Sequence, residues 1–242
     1  MHLVTRLGTL IAIVGAAACA APAGARDQSS AASADSLFAR QNYIKHEYRI
    51  PMRDGVRLFT AVYVPNDAST SKRYPIVIQR TPYSVSPYGE KAYPATLGPD
   101  PFMMHDKYIF VYQDVRGRYM SEGTFVEARP FVPDSIKARD HNAIDEASDT
   151  YDTIAWLLDS IPGNNGKVGQ WGISYPGFYA SMGALSRHPA LVASSPQAPV
   201  TDFFFEDFHH NGALTQAYFY AYPIFGIPRP HPTTERNYGL PT

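Results

Sequence analysis

The run Gly169-Gln170-Trp171-Gly172-Ile173-Ser174-Tyr175-Pro176-Gly177 constrains this chain more than any other stretch. An apolar strand, Lys167 to Trp171, leads into a serine framed by small residues, and a helical pattern, Phe178 to Arg187, leaves it. A strand that turns sharply into a helix lifts one hydroxyl above the sheet, and glycines on either side let the two backbones approach. Pro176 suits the first turn of the helix, where its missing N–H is not needed. The spacing is G-x-S-x-x-G rather than the commoner G-x-S-x-G. A serine hydroxyl is a weak nucleophile until a neighbouring base takes its proton. Ser174 is therefore the candidate nucleophile of a serine hydrolase, and the backbone N–H of Tyr175 is the first candidate oxyanion donor.

The rest of the chain supplies a setting for such a turn. Tyr43 to Pro51 and Arg57 to Val64 read as two strands around Arg53-Asp54-Gly55, a strong hairpin signal. Tyr74 to Arg80 and Tyr108 to Gln113 are short apolar runs of the buried-strand kind. Asp145 to Ser160 places Ile154, Leu157 and Leu158 on one helical face, with acidic residues early in the helix. Leu191 to Ser195 is a further strand. A hairpin followed by strands alternating with helices predicts an open, mostly parallel sheet with helices on both faces. Sites in such sheets lie at the carboxyl ends of the strands.

The ends of the chain carry other signals. Arg6, the apolar stretch Leu7 to Ala18 and Ala23-Gly24-Ala25 have the layout of an export signal over residues 1–25, which predicts a periplasmic or secreted protein. Cys19 is the only cysteine and offers an alternative lipid anchor, so the mature chain is expected to hold no disulfide. Residues 26–42 read as a linker or an oligomerisation arm, residues 43–201 as the main domain and residues 202–242 as the start of a helical cap. A net charge of −1 gives no reason to expect nucleic acid, or a membrane after signal removal. Adjacent His209 and His210, read as helical, point to different faces, and no second ligand cluster stands nearby, so no metal is expected. Asp114, in Asp114-Val115-Arg116-Gly117-Arg118, is read as structural, with Asp–Arg pairing holding two loops together.

Several motifs together resemble one family. Gly172-Ile173-Ser174-Tyr175-Pro176-Gly177 and Gln113-Asp114-Val115-Arg116-Gly117-Arg118 with Ser121-Glu122-Gly123 are similar to the X-Pro dipeptidyl-peptidase/cocaine esterase class of α/β-hydrolases. Pro51 to Leu58, Arg80-Thr81-Pro82-Tyr83, Asp152 to Leu157 and Asn165 to Gly169 match the same class, so the resemblance runs over roughly residues 43 to 225. With Phe208-His209-His210-Asn211-Gly212 and the export signal, the chain most resembles the α-amino-acid ester hydrolases, which hydrolyse α-amino esters and transfer the acyl group to β-lactam amines. The resemblance implies an α/β-hydrolase fold, no cofactor and a homo-oligomer when full length. It implies that the Tyr83 phenol is the second oxyanion donor. It also places Asp207 or Glu206, with Asp207 preferred, where a carboxylate pairs with the substrate ammonium; the alternative for both is a solvated helix charge.

In this fold the triad acid and histidine follow the serine. After Ser174 the histidines are His188, His209, His210 and His231, and none stands in a late strand–loop context. The expectation is that the triad Asp and His lie beyond Thr242, that the C-terminal part of the fold is absent, and that this chain alone is inactive. The expected activity is that of an α-amino-acid ester hydrolase or acyl transferase on a small ester or amide bearing an α-amino group. The alternatives are an X-Pro dipeptidyl-peptidase or other esterase of the class, and an inactive product that acts only as a folding or binding fragment.

Overall fold

The computed structural model describes residues 34–140, 142–216 and 229–235. The export segment 1–25 with Cys19, the first part of the 26–42 arm and the aromatic run Tyr218 to Tyr222 lie outside the described residues. Residues 34–42, expected within a linker or arm, form a helix, α1. Ala39 is fully buried beneath it, and the Phe38 ring packs on His105 at 4.0 Å. The apolar period that anchors this helix is a single turn long, too short to stand out in the sequence.

The predicted hairpin forms as β1 (Tyr43–Pro51) and β2 (Arg57–Pro65), paired antiparallel from Tyr43 opposite Pro65 to Pro51 opposite Arg57. β3 (Tyr74–Thr81) is followed by a short helix α2 (Pro101–Asp106) and β4 (Ile109–Asp114). A single turn, α3 (Asp134–Lys137), precedes the long helix α4 (Glu146–Ser160) and β5 (Asn164–Ile173). Helix α5 (Tyr175–Ala184) then leads to β6 (Leu191–Gln197). The sheet order is β1-β2-β4-β3-β5-β6, antiparallel at the hairpin and at β2–β4 and parallel from β4 onward.

The pleat sends alternate side chains to opposite faces. Ile76 and Ile78 of β3 face one layer with Val62, Val111 and Val168, against Ile154 and Leu157 of α4. Val77 faces the other layer, with Ala61, Tyr63 and Phe110, against Ala39 of α1 and Met104 of α2. Helices thus cover both faces, as predicted. Each fully buried aliphatic side chain contributes on the order of 1.5–3 kcal/mol.

Helix α4 starts at a reciprocal cap: Ser148 N–H donates to Asp145 at 2.7 Å, and Asp145 N–H donates to the Ser148 hydroxyl at 2.8 Å. The early acidic residues do more than face the helix dipole. Asp149 is buried and pairs with Arg116 at 2.7 Å, while Arg116 also reaches Asp54 of the hairpin turn at 2.7 Å. Glu146 pairs with buried Arg80 at 3.1 Å. These pairs bolt hairpin, sheet and α4 together, and removing one partner of such a pair leaves a buried charge at a cost of about 3–5 kcal/mol.

The Asp–Arg expectation for Asp114 is corrected here. Arg116 takes Asp54 and Asp149 instead, and Asp114 accepts from Val85 N–H at 2.9 Å, the Tyr88 hydroxyl at 2.9 Å and Met120 N–H at 3.2 Å. It does hold two loops together, through these neutral donors, with the positive charge of Arg118 also acting on it. One of those loops begins at Tyr83.

Past β6 the cap start also differs from the helical texture expected. Phe203–Phe208 form a wide helical turn, and His209–His210 (β7) pair with Ala213–Leu214 (β8). Asn211 and Gly212, both at positive φ of 51° and 82°, make the tight turn between them. His209 and His210 are therefore strand residues rather than helical ones.

Candidate active site

The site is built at the carboxyl ends of β3 and β5. β5 ends at Ile173 and α5 starts at Tyr175, so Ser174 alone makes the turn, at φ 62° and ψ −124°. A side chain in that region costs about 1–3 kcal/mol of strain and persists only where the surroundings enforce it. Here Ser174 N–H donates to Gln197 C=O at the end of β6 (3.0 Å), and Phe178 N–H donates to Ser174 C=O (3.0 Å). A Cβ on Gly172 would lie 2.1 Å from the Pro176 carbonyl oxygen, and one on Gly177 2.4 Å from the Gln197 carbonyl oxygen. Both contacts are with backbone, which explains why glycine flanks the serine on each side. Ser174 is exposed at the tip and Tyr175 is buried beneath it.

Tyr83 follows β3, its N–H turned back onto the Thr81 hydroxyl at 3.0 Å. Its own hydroxyl lies near enough to the Ser174 side chain and the Tyr175 backbone N–H for both to act on its pKa. The two candidate oxyanion donors and the nucleophile therefore meet at one point. The Tyr83 and Tyr175 rings stand edge to face, with centroids 6.3 Å apart. Tyr83 as a whole is 40% exposed, and the partial burial of its phenol raises the pKa above its ordinary value. The contacts with Ser174 and the Tyr175 N–H oppose this, and the negative charges of Glu127 and Asp207 reinforce it. A phenol so shifted keeps its proton and remains a donor.

Asp207 and Glu206 part company in the structure. The turn Phe203–Phe208 is capped by Asp202, which accepts from Phe204 N–H at 2.9 Å and Phe205 N–H at 3.1 Å. Phe203 packs against Tyr175 at 6.2 Å and Phe178 at 6.4 Å, which fixes the turn on α5. Exposed Glu206 folds back onto Thr201, accepting from its N–H and its hydroxyl at 2.7 Å each, and those bonds lower its pKa. Half-buried Asp207 is the one whose charge is felt at the Tyr83 hydroxyl. A cleft of about 450 Å³ opens beside the elbow, walled by Tyr83, Ile173, Tyr112, Trp171 and Pro176.

Among the described residues no histidine hydrogen-bonds Ser174. His188 lies on Tyr151 at 4.6 Å, and His209 stacks on Phe204 at 4.1 Å. Also among the described residues, no group of three or more His, Cys, Asp or Glu side chains is placed to hold a metal.

One residue near the site had no motif to mark it. Glu127 lies in the loop after β4, and its carboxylate adjoins the Tyr175 hydroxyl. The next residue, Ala128, donates its N–H to that same hydroxyl at 2.9 Å. Burial raises the Glu127 pKa, against the pull of Tyr175 and Arg118.

Known proteins share this arrangement of chain. The family model described as X-Pro dipeptidyl-peptidase (S15 family) matches residues 54–231. Cocaine esterase from Rhodococcus sp. strain MB1 Bresler is 31% identical over 155 residues, which are 64% of this chain and 23% of that protein. A solved α-amino acid ester hydrolase, labelled with selenomethionine, is 40% identical with a TM-score of 0.63, over 74% of this chain and 29% of that one. An aminopeptidase from the marine sediment archaeon Thaumarchaeota archaeon is 36% identical with a TM-score of 0.63, over 72% of this chain and 28% of that one. The chain thus spans less than a third of the length of these relatives. The match over hairpin, sheet, elbow and the turn beyond β6 places the chain in the X-Pro dipeptidyl-peptidase family of α/β-hydrolases.

Proposed function

We propose that this protein is a serine hydrolase that opens small esters or amides through an acyl-enzyme, with a preference for acyl groups that bear an α-amino group. The strained strand-to-helix turn that presents exposed Ser174, with the Tyr83 ring edge-on to Tyr175 beside it, carries this reading. Ser174 Oγ attacks the carbonyl carbon, and the carbonyl oxygen gathers negative charge between the two donors. Collapse expels the alcohol or amine and leaves the acyl group esterified to Ser174. Water then releases the acid, or a second amine takes the acyl group. The proton acceptor for Ser174 is assigned to a histidine outside the described residues, oriented by an acid.

Asp207 supplies the preference. It lies on the aromatic turn Phe203–Phe208, which packs on Tyr175 through Phe203, while Glu206 is occupied by Thr201. An α-ammonium sits two bonds from the carbonyl under attack, so a carboxylate whose charge is felt at the oxyanion donor is well placed to pair with it. The similarity to the α-amino acid ester hydrolase supports the same choice. Asp207→Asn in the full-length protein is expected to lower kcat/KM for an α-amino ester about 10- to 100-fold, the scale of one lost charge-assisted hydrogen bond. The matching ester without the amine should be little affected. Equal losses on both substrates would contradict the assignment.

A second reading, removal of X-Pro dipeptides, is favoured by the family description and the aminopeptidase relative. It too needs a carboxylate for the substrate amine, so Asp207 does not separate the two. Turnover of an X-Pro amide compared with an α-amino ester does.

A further inference from the structure

Two adjacent residues in the loop after β4 are costly to hold as they are. Both carboxylate oxygens of Glu127 are sealed from water, and neither forms a hydrogen bond of good geometry among the described residues. A buried carboxylate left without donors is disfavoured, and its persistence calls for a cause. Ala128 stands at φ 43°, in the left-handed region that a residue with a Cβ seldom adopts. Both features converge on one atom. The Ala128 N–H donates to the Tyr175 hydroxyl at 2.9 Å, and the Glu127 carboxylate adjoins it. The Tyr179 ring stacks on Tyr175 at 5.2 Å, and the two hydroxyls adjoin. With the Ala128 N–H as donor to its oxygen, the Tyr175 hydroxyl has its own proton free for an acceptor, and Glu127 is the carboxylate beside it.

Tyr175 directly follows Ser174, its backbone N–H lies near the Tyr83 hydroxyl, and its ring stands edge-on to Tyr83. Whatever fixes the Tyr175 ring therefore fixes both oxyanion donors relative to the nucleophile. We infer that the Glu127–Ala128 turn is a positioning device for the oxyanion hole, in which Glu127 grips the Tyr175 hydroxyl from beneath the site. The inference rests on Ser174 being the nucleophile, as proposed above. Glu127 does not touch substrate, since its oxygens are buried; it acts through Tyr175.

The test is the rate at which a fluorophosphonate labels Ser174 in the full-length protein, a reaction that places an oxygen in the same hole. Wild type would be compared with Glu127→Ala, Glu127→Gln, Tyr175→Phe and the double variant Glu127→Ala/Tyr175→Phe. Each of Glu127→Ala and Tyr175→Phe should slow labelling about tenfold, within the range that small misplacements of catalytic groups produce. Glu127→Gln, which still accepts from the phenol, should recover much of the rate. The double variant should be no slower than either single one, because both remove the same contact. On an ester substrate the loss should appear in kcat with KM nearly constant. Multiplying losses in the double variant, or Glu127→Ala and Glu127→Gln labelled as fast as wild type, would overturn the positioning role while leaving Ser174 as nucleophile. Wild type that is not labelled at Ser174 would overturn both. Should Glu127→Ala fail to fold, Glu127→Gln and Tyr175→Phe still decide: both labelled at the wild-type rate overturns the inference.

Discussion

Tyr83 carries the clearest chemical consequence of any single residue. Its phenol works as a donor only while protonated, and its pKa is raised, first by burial and further by the charges of Glu127 and Asp207. The sign follows directly: below the raised pKa the proton is on, so the donor is intact through the neutral and mildly alkaline range. Tyr83→Phe is expected to lower kcat about 10²- to 10³-fold, the usual cost of one lost oxyanion donor. The ratio of wild-type to variant rates should stay flat from about pH 6 to pH 9.5, because a tyrosine titrates near 10 or, when shifted as here, above it. A limb in that range that vanishes with Tyr83→Phe would contradict the placement. The elbow at Ser174 and Tyr175 was legible from one short motif, and the position of Tyr83 beside it from its place after a buried strand together with the family resemblance. Glu127 was not, because nothing in Thr124-Phe125-Val126-Glu127-Ala128 distinguishes a loop carboxylate from a solvated one until the loop is folded against α5.

At the scale of elements, the elbow is set by what glycine allows. Gly172 passes so close to Pro176 that a methyl group would overlap its carbonyl oxygen, and backbone cannot swing aside as a side chain can. Gly172→Ala should therefore displace Ser174 and lower its labelling by a fluorophosphonate at least about 100-fold, since displacements near 1 Å cost that much. Melting temperature should fall as well. Unchanged labelling would mean the elbow is looser than its geometry implies. The strands and helices that frame the elbow were legible because each is long and apolar enough to show its period; β1 was read at both of its observed ends. Helix α5 was placed three residues late, because the chain enters it directly from Ser174 and the apolar pattern begins only at Phe178. The β7–β8 ribbon was missed although Asn211-Gly212 is a hairpin signal, since two-residue strands leave no alternation to read. Asp–Arg pairing in the Asp114–Arg118 segment was legible, but its partners were not: Arg116 takes Asp54 and Asp149, which lie on the hairpin turn and α4, far away in sequence.

Over the whole molecule, a hairpin and a parallel sheet carry one strained serine to their carboxyl edge, and two tyrosines from different elements meet it there. The alternation of strands and helices made that architecture legible. The buried charges that tie it together were not, because Glu146 and Asp149 read equally well as exposed residues in the first turn of a helix. The central claim is that Ser174 is the acylated nucleophile, and it is tested most directly by intact mass after fluorophosphonate treatment of the full-length protein and its Ser174→Ala variant. One adduct per chain, mapped to Ser174 and lost in the variant, is the result expected. An adduct that persists in Ser174→Ala, or a folded wild-type protein that takes none, would contradict the account.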